Sequence, residues 1–320
     1  MSRTLHWAAS LMLVACSGAP AAAPTTAADP SLAEPAGEAG GQLEQGVAAI
    51  QQGDFARAKR LLGELCEQRP EHARAQFYYG VALHNLSEMD PAIAAYQRAV
   101  ELDPKLTEAW VNLSAALLDV ERADEALSVA ERGLAAHPDA PELLYNRALA
   151  LRAQNRSDEA LSAYARALEA GPDNPEVKYG YAEALIEAGD RDRARPLLES
   201  LTDVERVDIL ASSARLLGGL GAFDACVRAL DKALGMEPLA ELHVQRGLCR
   251  HGRKDEPGAL ADFQAAVAAD PSFAPAHYYL GMHYKTHGDR AKARAALGRA
   301  SELGADSGVG RAAKKALNEL

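Results

Sequence analysis

From about residue 39 onward, small and large apolar positions recur along the chain, and Pro70, Pro104, Pro138 and Pro172 set the period, each 34 residues after the last. Aligned on those prolines, one small position reads Gly46, Gly80, Ser114, Ala148, Ala182, Ala214, Gly247 and Gly281. A second, twelve residues later, reads Ala58, Ala92, Ala126, Ala160, Ala194, Cys226, Ala259 and Ala293. A third, seven further on, is Ala99, Gly133, Ala167, Ala233, Ala266 and Ala300, with Leu65 and Leu201 as exceptions. Between the last two lie Leu62, Tyr96, Tyr164, Leu198, Leu230, Phe263 and Leu297, with Ala130 as the small outlier.

Each period predicts two helices of about thirteen residues, about 20 Å long, joined by a short turn. Small residues let the two backbones approach, and the large ones are expected to fill the gap between neighbouring units. No unit buries its apolar face alone, so stacking supplies the core. The proline ring disfavours helix at the residue before it, which ends the second helix at Asp103-Pro104 and Asp270-Pro271. Asp90-Pro91 reads as an N-cap followed by the first helical position. After the eighth unit, Val309, Ala312, Ala313, Ala316, Leu317 and Leu320 fall at helical spacing with Lys314, Lys315 and Glu319 opposite, the pattern of a solvated cap helix.

This pattern resembles the tetratricopeptide repeat family over about residues 39–305; Ala109-Trp110-Val111-Asn112-Leu113 and Ala92-Ile93-Ala94-Ala95-Tyr96 lie close to its consensus. The resemblance implies an all-α, right-handed superhelical solenoid of about eight helix-turn-helix repeats with a C-terminal capping helix. The units would span about 39–72, 73–106, 107–140, 141–174, 175–206, 207–239, 240–273 and 274–305, with the cap at 306–320. In that family the first helix of each unit lines a concave face that holds a partner segment. Carried over, this places Phe77, Tyr78, Asn112, Tyr145, Asn146, Tyr179, Tyr278 and Tyr279 in a peptide groove. Aromatic faces suit apolar side chains, and amides can pair with a partner backbone. The Lys and Asn carboxylate clamp of chaperone-binding members is missing, since Leu43, Val47, Val81 and Ala115 stand there. Glu108, Glu142, Glu176 and Glu183, partly offset by Arg152 and Arg215, favour a neutral or basic partner segment.

The start of the chain has a different character. Arg3 precedes an apolar stretch from Leu5 to Ala15, too short to span a bilayer, and Leu13-Val14-Ala15-Cys16 resembles the bacterial lipobox. That resemblance implies a signal peptide over 1–15, lipidation of Cys16 and a membrane lipid anchor. Ser17 after the Cys favours the outer membrane, with the body on its periplasmic face. Residues 16–38 are nearly devoid of large apolar side chains, which predicts a disordered acylated tether.

Composition agrees with packed helices: aromatics are 5% of the chain and β-branched residues are sparse. The charge of −11 is spread without a basic block, so no nucleic-acid partner is expected. Between repeats five and six Pro196 falls inside a helix, Arg206 replaces the proline and Gly218-Gly219-Leu220-Gly221 follows, which reads as repeat drift or a hinge. His283 and His287 have the spacing that lets two imidazoles share a metal, yet no carboxylate lies between them, and they read as exposed helix histidines. Cys226, in a small position, reads as a packed free thiol, with a disulfide to Cys249 as the alternative in an oxidising envelope. No catalytic constellation is found, and no enzyme activity, metal or cofactor is expected.

These readings describe a bacterial cell-envelope lipoprotein that acts as a scaffold for proteins or peptide segments, its oligomeric state left open. It looks like the tetratricopeptide lipoproteins that assist pilus pores or secretins. Adaptors for peptidoglycan enzymes or proteases, and chaperone-like binders of exported proteins, are the alternatives.

Overall fold

The computed structural model of the protein describes residues 38–320. The signal peptide, Cys16 and nearly all of the tether lie outside the described residues. Within them the chain forms seventeen α-helices and no strand, in two compact units divided after Pro172.

The first unit holds four hairpins: α1 (Glu38–Gln51) with α2 (Phe55–Gln68), α3 (Ala73–Asn85) with α4 (Met89–Leu102), α5 (Thr107–Asp119) with α6 (Ala123–Ala136), and α7 (Pro141–Ala153) with α8 (Ser157–Ala170). The second holds α9 (Pro175–Glu187) with α10 (Arg191–Glu199), α11 (Val207–Gly219) with α12 (Phe223–Met236), α13 (Ala240–Gly252) with α14 (Glu256–Ala269), and α15 (Ala274–Thr286) with α16 (Arg290–Leu303). It ends on α17 (Gly308–Asn318), capped by Ser307 and laid on α15 and α16, where Lys285 reaches Glu319 at 2.8 Å.

Each hairpin turns through one left-handed residue. Glycine supplies it at Gly53, Gly189, Gly221 and Gly288, while Ser87, Glu121, Asn155 and Lys254 adopt the same geometry despite their side chains. In every turn the next N–H returns to a carbonyl five residues back, as Asp54 does to Ala49 and Glu88 to Leu83, satisfying a helix-end acceptor.

The large repeat residue covers the small position of its own hairpin, which corrects the expectation that it fills the space between units. A Cβ on Gly80 would lie 2.7 Å from the Tyr96 ring, and on Gly247 2.6 Å from Phe263. The two helices of a hairpin cross where one backbone carries no side chain, so the facing ring fills that notch first. Tyr96 is fully buried, which raises the pKa of its hydroxyl, and the nearby Asn112 of the next repeat only partly opposes that rise.

Two further local readings are corrected. The helix at Asp90-Pro91 begins earlier, with Glu88 at the N-cap and Met89 first, which puts Pro91 inside the first turn. A proline is tolerated there because the first N–H groups of a helix have no internal acceptor. Cys226 of α12 and Cys249 of α13 are disulfide-bonded, not free, with their Cα atoms 6.3 Å apart. The small position brings these two helices close enough for the bridge.

The irregular stretch lies inside the second unit. α10 is 9 residues long and carries Pro196, which removes one helical N–H donor. Arg206 precedes α11 in place of the repeat proline and binds Glu176 at 2.7 Å and Asp208 at 2.6 Å, so side-chain ion pairs join repeats five and six.

Candidate functional site

Within each unit, successive first helices of the hairpins touch one another: α1 with α3, α3 with α5 and α5 with α7, then α9 with α11, α11 with α13 and α13 with α15. That contact gathers the first helices of each unit onto one side of its stack.

Of the residues expected in the groove, Phe77, Asn112, Tyr145 and Asn146 are buried, at 6%, 2%, 3% and 1% exposure. They pack between helices. Phe77 lies 6.0 Å from the Tyr96 ring and Tyr145 5.8 Å from Tyr164. Asn146 donates to the carbonyl of Val111 at 3.0 Å and to the hydroxyl of Ser114 at 2.8 Å, fixing repeat four on repeat three. Asn112 occupies the same place one repeat earlier, where the matching small residue is Gly80, with no hydroxyl to receive it.

Tyr78, Tyr179, Tyr278 and Tyr279 are half-buried. Tyr78 leans on the core of the first repeat and on Phe77, their ring centroids 5.0 Å apart. Tyr278 supports the cap helix against Leu297 and Ala313, and Tyr279 stacks on Phe263 at 6.0 Å. Tyr179 is set differently. Its hydroxyl lies 3.5 Å from Glu183 on its own helix and 3.5 Å from the Arg215 guanidinium on α11. Of the acids assigned to the groove, Glu176 is paired with Arg206, which lessens the negative character of that end of the face.

A second cluster was only half visible in the sequence. His283 is buried at 9% exposure, which corrects its reading as an exposed helix histidine; His287 is exposed. Burial lowers the pKa of His283, and His287 lowers it further, while Glu256 opposes them. Glu256 begins α14 in the preceding hairpin, and with the two histidines it forms a group able to hold a metal ion. The carboxylate sought between the histidines thus comes from another repeat, where no local spacing motif announces it.

A large salt-bridge set is structural. Asp262 is buried and takes Arg246 at 2.6 Å and Arg250 at 3.1 Å, while Arg246 also reaches Asp231 at 2.5 Å, joining α12, α13 and α14. No helix among the described residues is long and apolar enough to cross a membrane.

Comparison with known proteins agrees with this architecture. A tetratricopeptide repeat profile matches residues 43–106, 112–175 and 211–274, and a second tetratricopeptide repeat profile matches 151–217. Human superkiller complex protein 3 is 29% identical over 120 residues, which cover 34% of this chain and 8% of that protein. Yeast Tom70 has a similar fold, with a TM-score of 0.53 at 17% identity, covering 84% of this chain and 61% of that one. A tetratricopeptide repeat protein from Parabacteroides merdae ATCC 43184 gives 0.52 at 18% identity, covering 77% of this chain and 98% of that one. The chain spans less than two thirds of the human and yeast proteins, and at these identities the structural likeness concerns fold alone. With the family profile matched over more than half its length and paired helices stacked within each compact unit, the chain belongs to the tetratricopeptide repeat family.

Proposed function

We propose that the protein is a lipid-anchored adaptor of the bacterial cell envelope that holds a segment of a partner protein on the inner face of its first helices. Tetratricopeptide arrays are in general protein-interaction scaffolds. The observation that carries the reading here is the grouping of Tyr179, Glu183 and Arg215. It offers a half-exposed aromatic face for an apolar side chain, bracketed by a carboxylate and a guanidinium that can pair with a bound chain. The envelope assignment rests on the lipobox-like Leu13-Val14-Ala15-Cys16 and is supported independently by the Cys226–Cys249 disulfide, which suits an oxidising compartment.

Crosslinking in whole cells, followed by purification and mass spectrometry, tests both parts. The wild type is expected in membrane fractions with an acylated Cys16 and a defined partner, and Cys16→Ala is expected to be released. A Tyr179→Ala, Arg215→Ala double variant is expected to stay folded and membrane-bound but to lose the partner. A single pore protein would point to pilus or secretin assembly, a set of hydrolases to peptidoglycan work, and a broad client spectrum to a chaperone role. An unmodified Cys16 sinks the anchor, and a partner that the double variant retains sinks this face as its site.

A further inference from the structure

Side chains from two consecutive hairpins converge around the Glu256 carboxylate. His283 on α15 and His287 at its C-cap stand one turn apart, their ring centroids 4.1 Å apart and their planes 24° from parallel. Glu256 places Oε2 3.5 Å from Nδ1 of His283 and 3.8 Å from Nε2 of His287. One ligand atom from each of the three lies within 4.8 Å of the other two. Nδ1 of His251, near the end of α13, lies 2.9 Å from Oε1 and 3.1 Å from Oε2 of the same carboxylate.

The hydrogen bonding of His287 decides what this cluster can do. Its Nδ1 is 2.8 Å from the His283 carbonyl, which can only accept, so Nδ1 carries the proton of the neutral ring. In that neutral form Nε2 keeps its lone pair, and it and a carboxylate oxygen are two electron-rich atoms 3.8 Å apart. A cation between them turns that opposition into coordination. A metal-bound imidazole whose other nitrogen donates to a backbone carbonyl is the usual way its tautomer and orientation are fixed. The spacing fits as well: metal–ligand bonds of about 2.0–2.1 Å at tetrahedral angles separate neighbouring ligand atoms by about 3.4 Å. The carboxylate oxygen, at 3.5 and 3.8 Å from the two ring nitrogens, needs only a small contraction, and the three ligand atoms all lie within 4.8 Å of one another.

We propose that Glu256, His283 and His287 form a binding site for a first-row divalent transition metal, zinc fitting best, with His251 orienting the carboxylate. Two imidazoles and one carboxylate suit zinc, nickel or copper, whereas magnesium and calcium call for oxygen ligands. Three protein ligands leave a coordination position for water or for a side chain of a bound partner. The ion would join the second helix of repeat seven to the first helix of repeat eight, where the described contacts are otherwise mainly apolar, such as Phe263 against Tyr279.

Calorimetric titration of the full, untagged protein with zinc chloride tests the site. One ion per chain is expected to bind. His287→Ala and Glu256→Gln should each weaken binding at least tenfold, while His277→Ala, on the same helix but outside the cluster, should not. Because His287 is exposed, its loss is expected to leave the fold intact, which the helical circular dichroism signal checks; a variant that has lost this signal is replaced by His287→Gln. Absence of saturable zinc binding overturns the proposal. So does binding whose stoichiometry and affinity are unchanged in the folded His287 variant and in Glu256→Gln.

Discussion

The Asn146 side chain donates to the Ser114 hydroxyl at 2.8 Å and to the Val111 carbonyl at 3.0 Å, so a residue on the inner face of one repeat is consumed in holding the repeat before it. Removing it takes away both of these bonds, although Ser114 still donates to the Trp110 and Val111 carbonyls, so the loss is that of ordinary hydrogen bonds, about 0.5–1.5 kcal/mol each. Asn146→Ala is therefore expected to lower the urea midpoint measurably. An unchanged midpoint would mean that the amide is available for a partner after all.

Ala126 is fully buried in the small position of α6. Ala126→Leu forces side-chain atoms into a closed helix contact and is expected to destabilise by about 1–3 kcal/mol. A thermal midpoint equal to that of the wild type would reject the assigned register.

Glu121 is exposed and holds the left-handed turn between α5 and α6 at φ 60°. Left-handed backbone costs a residue with a Cβ about 1–2 kcal/mol, partly offset by the extra freedom glycine gains in the unfolded chain. Glu121→Gly should accordingly raise the thermal midpoint by a few degrees; a fall would show that the side chain stabilises the turn.

The Cys226–Cys249 bridge closes a loop of 23 residues, and loop entropy makes such a link stabilising by about 3 kcal/mol. Reduction, or Cys226→Ser, is expected to lower the unfolding midpoint. Cys66 offers a contrasting measurement on the same molecule. Burial pushes its thiol up to about 12, so iodoacetamide at pH 8 should leave it unmodified until the first unit unfolds. Rapid alkylation of the native protein would contradict that burial.

Burial by itself would raise the pKa of Asp208, but the Arg206 guanidinium prevails and holds it below the usual carboxylate range. The native state therefore binds this proton less readily than the unfolded chain. The contribution is complete above the unfolded value near 3.8 and is lost as pH falls through the lower folded value. In Arg206→Gln, stability should fall more at neutral pH than under strongly acidic conditions, as read by urea titrations at both; an equal loss would assign Arg206 a packing role.

The repeat was legible in the sequence because helix contact restricts side-chain size at fixed intervals, and Gly80, Ala92 and Ala99 declare that restriction without reference to any partner. The left-handed turns were only half legible: Gly53 and Gly288 announce theirs, while Glu121 and Lys254 are residues that seldom adopt that conformation. Polarity misled at Asn146, where an amide suited to a peptide backbone serves a neighbouring helix instead. Glu256 escaped notice for a topological reason, since it meets His283 and His287 only when two hairpins stack. Tyr179, Glu183 and Arg215 were each assigned to the groove from the sequence, but that the three meet became apparent only in space.

A solenoid transmits a pull from repeat to repeat, since each one mainly touches its neighbours. The Cys226–Cys249 link ties the second helix of repeat six to the first helix of repeat seven, and so introduces a mechanical stop. Under tension from the C-terminus, α17 and the last repeats can peel away in turn, but the chain between the two cysteines cannot lengthen. About 80 Å of contour, taking 3.5 Å for each of the 23 residues, stays locked until the bond is reduced. An adaptor strained between a membrane and a moving partner would thus have a limit to its extension that is set by the redox state of its surroundings.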